Sequence, residues 1–315
     1  MGKEQCNAIK GIFIILIFFS HISRYLVDNG YHSYDMLDSM FIAISTHIGQ
    51  WVVAVFLFYS GYGVMESLKI KNKSYLESFP RKRILTTLMN FDVAVLVFIL
   101  LSLLIGNTLS LGHIMLSFIG WSSVGNSNWY IFVILICYLA FYVSYRLNDK
   151  WGKYVLLVLL VSIMMILSQT KEYRWYNTIL CFPAGVFYSN NHTVMKDFFH
   201  KHYYIVLISL LVLFVVFCYL GLPRIIGFTY NVGCVCFVLT IVLISMRVRL
   251  RNKLLMWFGI NLFPLYIYQR LPMITLKQWL GTSWICSHPF IYTVTCLGVT
   301  MIICYFYRFW RISFR

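Results

Sequence analysis

The chain has 315 residues, of which 60% are hydrophobic and only 11% are charged, and its mean hydropathy is +0.77. Soluble proteins carry about 25% charged residues, so this composition excludes an ordinary soluble domain and indicates a multi-pass membrane protein. The net charge of +16 would suggest nucleic-acid binding in a soluble protein. Here we attribute it to basic residues that flank membrane helices on the cytoplasmic side, and we expect no nucleic acid as a partner.

Apolar runs long enough to cross a lipid bilayer, which takes about 20 residues in a helix, recur along the whole chain. Ten of them lie near residues 8–27, 41–68, 84–106, 129–147, 153–169, 174–190, 203–221, 225–246, 254–276 and 289–310. Lys and Arg are concentrated in alternate connections, as expected if the N-terminus is cytoplasmic. We therefore predict an all-α polytopic bundle of about ten transmembrane helices with both termini cytoplasmic, forming a single domain over residues 1–315.

The first run contains two residues that lipid does not favour, His21 and Arg24. A charge within the hydrocarbon costs at least about 2.5–3.5 kcal/mol, so such residues are rarely kept without a use. Residues three apart share one face of a helix, and we predict that this face looks into a protein cavity. The imidazole can take a proton from a hydroxyl near neutral pH. The alternative is a hydrogen-bonded structural histidine.

The second and third runs add small and acidic residues. Ser60-Gly61-Tyr62-Gly63 lies within the second run, where the glycines favour close helix packing or, alternatively, a segment that lines a cavity. Glu66 and Asp92 are candidates to balance buried cations such as Arg24 or Arg270. Glu66 alternatively lies among the inner headgroups.

A cluster of three cations, Arg81-Lys82-Arg83, comes just before the third run. The simpler interpretation is anchoring of the helix on the cytoplasmic side. The functional interpretation is a docking site for a phosphorylated ligand, because the planar fork of a guanidinium pairs with phosphate oxygens.

Residues 107–128 form a longer connection, predicted to be external, that is mildly apolar and too short to span a membrane. We expect it either to lie flat on the outer surface or to re-enter and cover a cavity. No internal repeat is evident, which argues against a transporter built from inverted halves. The nine cysteines show no paired spacing of a metal site, and the phosphate-loop, zinc-protease and nucleophile-elbow motifs are absent from the sequence.

Five segments occur together in a recognisable order. They are Lys10-Gly11-Ile12 leading to Ser20-His21, Phe56-Leu57-Phe58-Tyr59-Ser60-Gly61-Tyr62, Arg81-Lys82-Arg83-Ile84-Leu85, Asn128-Trp129-Tyr130-Ile131-Phe132, and Phe258-Gly259 through Leu265-Tyr266-Ile267-Tyr268. This ordered set, from about residue 8 to 275, resembles the acyltransferase family 3 membrane proteins, which O-acylate carbohydrates and other acceptors. Two positions depart from the family's pattern. Gln269-Arg270 stands where many members have a histidine, which argues against a two-histidine mechanism, and Thr86-Thr87 stands where many have a proline.

The resemblance implies an O-acyltransferase of the bacterial inner membrane. Its donor would be cytoplasmic acyl-CoA, most simply acetyl-CoA, with no metal. Its acceptor would be a hydroxyl of a surface carbohydrate or of a lipid-linked precursor, and proteins of polysaccharide assembly are further expected partners. His21 would act as the general base or accept the acyl group briefly, Arg24 would steady the oxyanion, and Arg81 and Arg83 would hold the phosphates of CoA. Further residues are expected to line the substrate cavity: Ser60, Tyr62, Glu66, Asp92, Trp129, Gln269 and Arg270.

Two rival interpretations remain at this stage. A proton-coupled transporter or exporter of a small anionic or sugar substrate explains the buried histidine, carboxylates and arginines as a relay, but it does not explain the arginine cluster. A non-catalytic scaffold in a polysaccharide-assembly complex would tolerate the loss of His21.

Overall fold

The computed structural model describes residues 2–28, 36–219, 227–281 and 283–313. Its helices, in chain order, are α1 (Lys3–Asp28), α2 (Met36–Phe79), α3 (Thr86–Leu104), α4 (Leu111–Phe118), α5 (Trp129–Leu147), α6 (Gly152–Thr170), α7 (Cys181–Asn190), α8 (His192–Lys201), α9 (Tyr203–Tyr219), α10 (Phe228–Arg247), α11 (Lys253–Ile260), α12 (Leu262–Tyr268), α13 (Arg270–Leu280), α14 (Trp284–Ser287) and α15 (Pro289–Trp310). A π-helical turn, Pro80–Leu85, joins α2 to α3, and a 3₁₀ turn, Tyr173–Trp175, precedes α7. Within the described ranges there is no strand, and the prediction of an all-α membrane bundle is confirmed.

Six helical segments are long and apolar enough to cross a membrane in the part of the chain that the structure describes. They are Lys3–Leu26, Ile48–Leu104, Trp129–Leu147, Gly152–Thr170, Phe228–Arg247 and Pro289–Trp310. The pair α8 and α9, bent by 101°, makes a seventh if it is counted as one span. The segment Ile48–Leu104 takes in two of the predicted runs. The count of ten and the cytoplasmic position of the termini stay predictions.

Prolines divide two of the predicted runs into shorter helices. Pro183, Pro264 and Pro272 each stand at the third position of a helix, in α7, α12 and α13. Proline has no N–H to donate and clashes with the carbonyl four residues before it, so it is tolerated in the first turn but not in a helix interior. The run at 174–190 therefore holds only α7 after a short turn, and the run at 254–276 is occupied by α11, α12 and α13.

The chain is divided into two compact units. The first comprises Met1–Gln5, Val53–Leu85 and Val133–Leu250, and the second comprises Cys6–Val52, Thr86–Phe132 and Arg251–Arg315. The core of the first unit is aromatic, since Phe79 packs against Tyr138, Phe141 and Tyr142 with ring centroids 5.4–6.4 Å apart. The core of the second unit includes Tyr292, whose hydroxyl donates to the carbonyl of Met273 at 2.7 Å. The single domain over 1–315 stays a prediction.

In each unit, a pair of glycines brings two helices into backbone contact. In the first unit a Cβ on Gly61 would overlap the carbonyl oxygen of Phe182, and a Cβ on Gly185 would overlap that of Phe58. This reciprocal contact joins α2 to α7. In the second unit Gly11 stands against the carbonyl of Leu255 and Gly259 stands against that of Asn7, which joins α1 to α11. Small residues permit this approach between membrane helices, so the glycine in the Ser60-Gly61 segment serves packing.

The connection between α3 and α5 is built around α4, whose eight residues are too few to span a membrane. The side chain of Ser110 caps α4 by accepting a hydrogen bond from the backbone N–H of His113 at 3.3 Å. After α4 the chain turns at Gly120 and Gly125, which have φ values of +74° and +104°. These values lie in the left-handed region that favours glycine. The side chain of Asn128 closes the turn by donating to the carbonyl of Gly120 at 2.8 Å.

Candidate functional site

The second unit holds a group of polar residues around His21, which we call the histidine group: His21, Arg24, Tyr25, Asn126, Tyr266, Gln269 and Arg270. His21 lies on helix α1, and its side chain is partly buried. The ring nitrogen Nδ1 is buried and has no hydrogen-bond partner among the described residues. The ring centroid lies 6.3 Å from that of Tyr266, and Tyr266 in turn packs edge-on against Tyr130 at 5.1 Å. A buried ring nitrogen without a partner is free to accept a hydrogen bond from a ligand hydroxyl.

The guanidinium groups of Arg270 and Arg24 both lie within electrostatic range of the His21 ring. The Arg270 side chain has two fixed partners, since Nε donates to the Tyr25 hydroxyl at 3.1 Å and Nη1 donates to the carbonyl of Asn126 at 3.3 Å. The Arg24 side chain is exposed. The structure thus brings Arg270 to the predicted histidine on a second helix, α13, and holds it in place there.

Gln269, next to Arg270, is almost completely buried, with 1% of its surface exposed. Its Nε2 donates to the carbonyl of Tyr266 at 3.2 Å, while its Oε1 is buried with no hydrogen-bond partner within the described ranges. Trp129 is partly buried, and its neighbour Tyr130 is the residue that packs on Tyr266. Tyr130 and Tyr266 were not singled out from sequence, although both stand within the motif segments quoted above.

Asp92 lies in α3, also in the second unit, and is partly buried. Its Oδ1 is buried with no hydrogen-bond partner in the described part of the chain. The hydrogen bonds of Arg270 go to Tyr25 and Asn126. Two salt bridges among the described residues are Lys69–Glu66 and Arg174–Glu172. Neither of these salt bridges involves Asp92, and the charge balance expected of Asp92 and Glu66 stays a prediction.

The first unit holds the arginine turn, residues 80–85, in which Arg81, Lys82 and Arg83 are all exposed. The π-helical geometry of this turn is rare and often marks functional sites. The Arg83 guanidinium interacts with the hydroxyls of Tyr75 and Tyr138, and Tyr138 also hydrogen-bonds Ser60. Tyr138 thus connects two residues predicted from separate motifs, Arg83 and Ser60. Sequence reasoning missed Tyr138, because nothing local distinguishes it within the apolar run of α5.

A second polar cluster of the first unit surrounds Glu66. Its Oε1 accepts hydrogen bonds from the Ser189 hydroxyl at 2.6 Å and from Lys69 Nζ at 2.8 Å. Tyr62 packs against Tyr188 and His192, with ring centroids 5.9 Å and 6.5 Å apart. Glu66 and Tyr62, both predicted to line a substrate cavity, therefore face residues of α7 and α8. Glu66 finds its counter-ion three residues along its own helix.

Comparison with known protein families matches residues 4–309 to a family described as an acyltransferase domain. No curated protein and no solved structure matches the chain. The matched range includes both the histidine group and the arginine turn. It confirms the resemblance drawn from the five ordered segments.

Proposed function

Because the chain belongs to this acyltransferase family over nearly its whole length, we propose that it transfers an acetyl group from acetyl-CoA to a hydroxyl of a surface carbohydrate, or of its lipid-linked precursor, in a bacterial inner membrane. Acyltransferase activity in a multi-pass membrane protein follows from the family and the apolar helices. We propose the more specific parts, which are acetyl-CoA as the donor, acetyl as the transferred group, a glycan as the acceptor and the bacterial inner membrane as the location. The observation that carries the proposal is the buried Nδ1 of His21, which has no hydrogen-bond partner among the described residues and lies within electrostatic range of two guanidinium groups.

The chemistry assigned to His21 is general base catalysis. Its ring takes the proton of the acceptor hydroxyl as that oxygen attacks the thioester carbonyl. The carbonyl oxygen becomes an oxyanion, and when it collapses the C–S bond breaks. The CoA thiolate leaves and receives the proton that the imidazole held. Transfer of the acyl group first to the ring itself would need a second step to reach the acceptor, and remains the alternative route.

The developing oxyanion calls for a fixed positive charge, which is effective in a site that excludes water. The sequence suggested Arg24 for this role. The exposure of Arg24 and the two hydrogen bonds that hold Arg270 favour Arg270 as the principal cation, with Arg24 contributing less. Gln269, with a buried oxygen that lacks a partner, is assigned to hold the acceptor or the donor near the ring.

The arginine turn is assigned to the phosphates of CoA. Arg81 and Arg83 are exposed at a turn whose backbone departs from the α-helix. Guanidinium forks bind phosphate oxygens in pairs. Tyr75 and Tyr138 beside Arg83 orient that side chain, so the two arginines are not equivalent.

The experiment measures the release of free thiol from acetyl-CoA by the purified protein. The acceptors are oligosaccharides released from the surface glycan of cells that lack it. We expect His21→Ala to lower the rate by about 100-fold or more, because general base catalysis contributes roughly 10²–10⁴-fold. The control is His200→Ala, an exposed histidine on α8, which should leave the rate unchanged. Equal rates in wild type and His21→Ala would remove His21 from the mechanism.

A proton-coupled transporter is the second candidate, and one observation favours it. In the second unit, Nδ1 of His21 and Oδ1 of Asp92 are buried without hydrogen-bond partners among the described residues, and a proton relay uses such groups. Uptake that depends on a pH gradient, without release of thiol from acetyl-CoA, would decide for the transporter.

A further inference from the structure

A groove in the second unit lies outside the histidine group and the arginine turn. It is formed by the end of α3, the connection that follows it, the turn before α5, and α13. Two adjoining cavities of about 410 Å³ and 540 Å³ make up this groove and share Thr108 and Leu109 in their walls. Cavities of about 300–1,000 Å³ are typical of small-ligand sites. We call it the acceptor groove, defined by Ser102, Asn107, Thr108, Ser123, Gly125 and Ile274.

The walls are polar and include the imidazole of His113. Hydroxyls and an amide come from Ser102, Asn107, Thr108 and Ser123, and apolar surface comes from Phe98 and Ile274. Among the described residues that line the groove there is no Asp, Glu, Lys or Arg, although the chain as a whole carries a net charge of +16. Hydroxyls and amides both donate and accept, which suits a ligand rich in hydroxyls. An anionic ligand would find no Lys or Arg among these lining residues.

The groove is joined to the histidine group through Asn126. Ser123, in the groove wall, donates from its hydroxyl to the carbonyl of Asn126 at 2.7 Å, and Arg270 donates to that same carbonyl at 3.3 Å. On α13, Ile274 in the groove wall stands one turn after Arg270. Four residues apart on a helix share a face, so the groove and the cation beside His21 are carried by the same two elements.

The turn that links the groove to the histidine group contains two buried polar atoms without hydrogen-bond partners among the described residues. Asn126 is 1% exposed and Ser127 is 5% exposed, and the Asn126 amide nitrogen and the Ser127 hydroxyl are buried without hydrogen-bond partners in the described part of the chain. Buried polar groups in folded proteins are almost always paired. These two donors lie in the turn that connects the groove wall at Ser123 to the Arg270 side chain.

We propose that the acceptor groove binds the glycan acceptor and admits uncharged, polyhydroxylated sugars in preference to anionic ones. This inference rests on the proposed function and names its acceptor class and the acceptor's point of entry. The groove stands at the end of α3 that the distribution of Lys and Arg predicts to be external. The bound sugar hydroxyl would be the group whose proton His21 takes.

The test uses two substitutions that fill the groove, Thr108→Trp and Ile274→Trp, in the full-length protein. Each is expected to raise the KM for the oligosaccharide acceptor about tenfold or more while kcat falls less, because the indole occupies volume that the sugar needs. The matched control is Leu111→Trp, an exposed position on α4 that does not line the groove. It should keep the KM of the wild type. Unchanged KM in both groove variants would overturn the proposal.

A binding measurement separates this inference from the proposed function. Saturation-transfer NMR should show galactotriose bound to wild type and to Leu111→Trp, with the signal lost in Thr108→Trp. Trigalacturonic acid, which differs by its carboxylates, should give a weaker signal. If wild type binds galactotriose in this way but releases no thiol, the groove stands and the transferase proposal fails. If thiol is released with acceptor and galactotriose binding survives Thr108→Trp, the groove proposal fails and the transferase proposal stands.

Discussion

At the scale of single residues, two arginines near one histidine differ in how they are held. Arg270 donates to a tyrosine hydroxyl and to a backbone carbonyl, whereas the side chain of Arg24 is exposed. A cation that is already fixed needs no reorganisation when charge develops beside it, so it stabilises a transition state more than a mobile one. The sequence placed Arg24 in this role because it is one turn from His21. The sequence alone does not show that Arg270, on α13, lies near His21 on α1.

We expect Arg270→Gln to lower kcat by about 100-fold, the usual effect of removing one oxyanion donor, and Arg24→Gln to lower it by less than about tenfold. Rates of thiol release with acceptor present would measure both. Glutamine keeps a hydrogen-bonding amide at position 270, so the change tests charge more than packing. A larger loss in Arg24→Gln than in Arg270→Gln would reverse the assignment.

At the scale of elements, the arginine turn is distinguished by its backbone. Residues 80–85 form a π-helical turn, and α2 is broken before it at Asn72, where φ is +50°. Pro80 is the first residue of this turn and has no backbone N–H to donate. The turn displays three cations on one short segment, with Tyr75 and Tyr138 beside Arg83. Sequence indicated the cations but gave no sign of the π-helical geometry.

Replacing both Arg81 and Arg83 by alanine should weaken CoA binding by about 10- to 100-fold, because hydrogen bonds to charged groups contribute about 1.5–3 kcal/mol each and exposure reduces this. Isothermal titration with CoA would give the dissociation constants. The matched control removes two other exposed cations, Arg146 and Lys150. Equal affinity in the arginine variant and wild type would leave the turn with an anchoring role only.

At the scale of the whole molecule, fold class and family are predictable because they depend on local signals. Apolar runs give the helices, and five short segments in order give the family, which matches residues 4–309. Pairings between distant segments are not local. The contacts of Tyr138 with Arg83 and of Arg270 with Asn126 depend on tertiary packing. Counting apolar runs also joined helices that prolines at 183, 264 and 272 keep separate.

The topology can be measured with single cysteines and a reagent that does not cross membranes. All nine native cysteines are thiols outside disulfide bonds, and seven are buried. Replacing the two partly buried cysteines, Cys6 and Cys218, by serine should therefore leave little labelling of native cysteines by the reagent. We expect Asn107→Cys to react from outside intact cells and Asp149→Cys to react only after the cells are opened, because cytoplasmic loops carry the excess of Lys and Arg. The opposite pattern would invert the orientation.

The glycine contact between α1 and α11 has a consequence for biogenesis. Gly11 meets Leu255 and Gly259 meets Asn7, so α1 reaches this neighbour only after about 250 further residues, from 11 to 259, have been made. At about 5–20 residues per second, that interval is roughly 12–50 s. During it, the His21 ring on α1 lacks its packing partner Tyr266, which lies on α12. Lipid headgroups or the insertion machinery must therefore accommodate α1 in the membrane until α11 and α12 have been made.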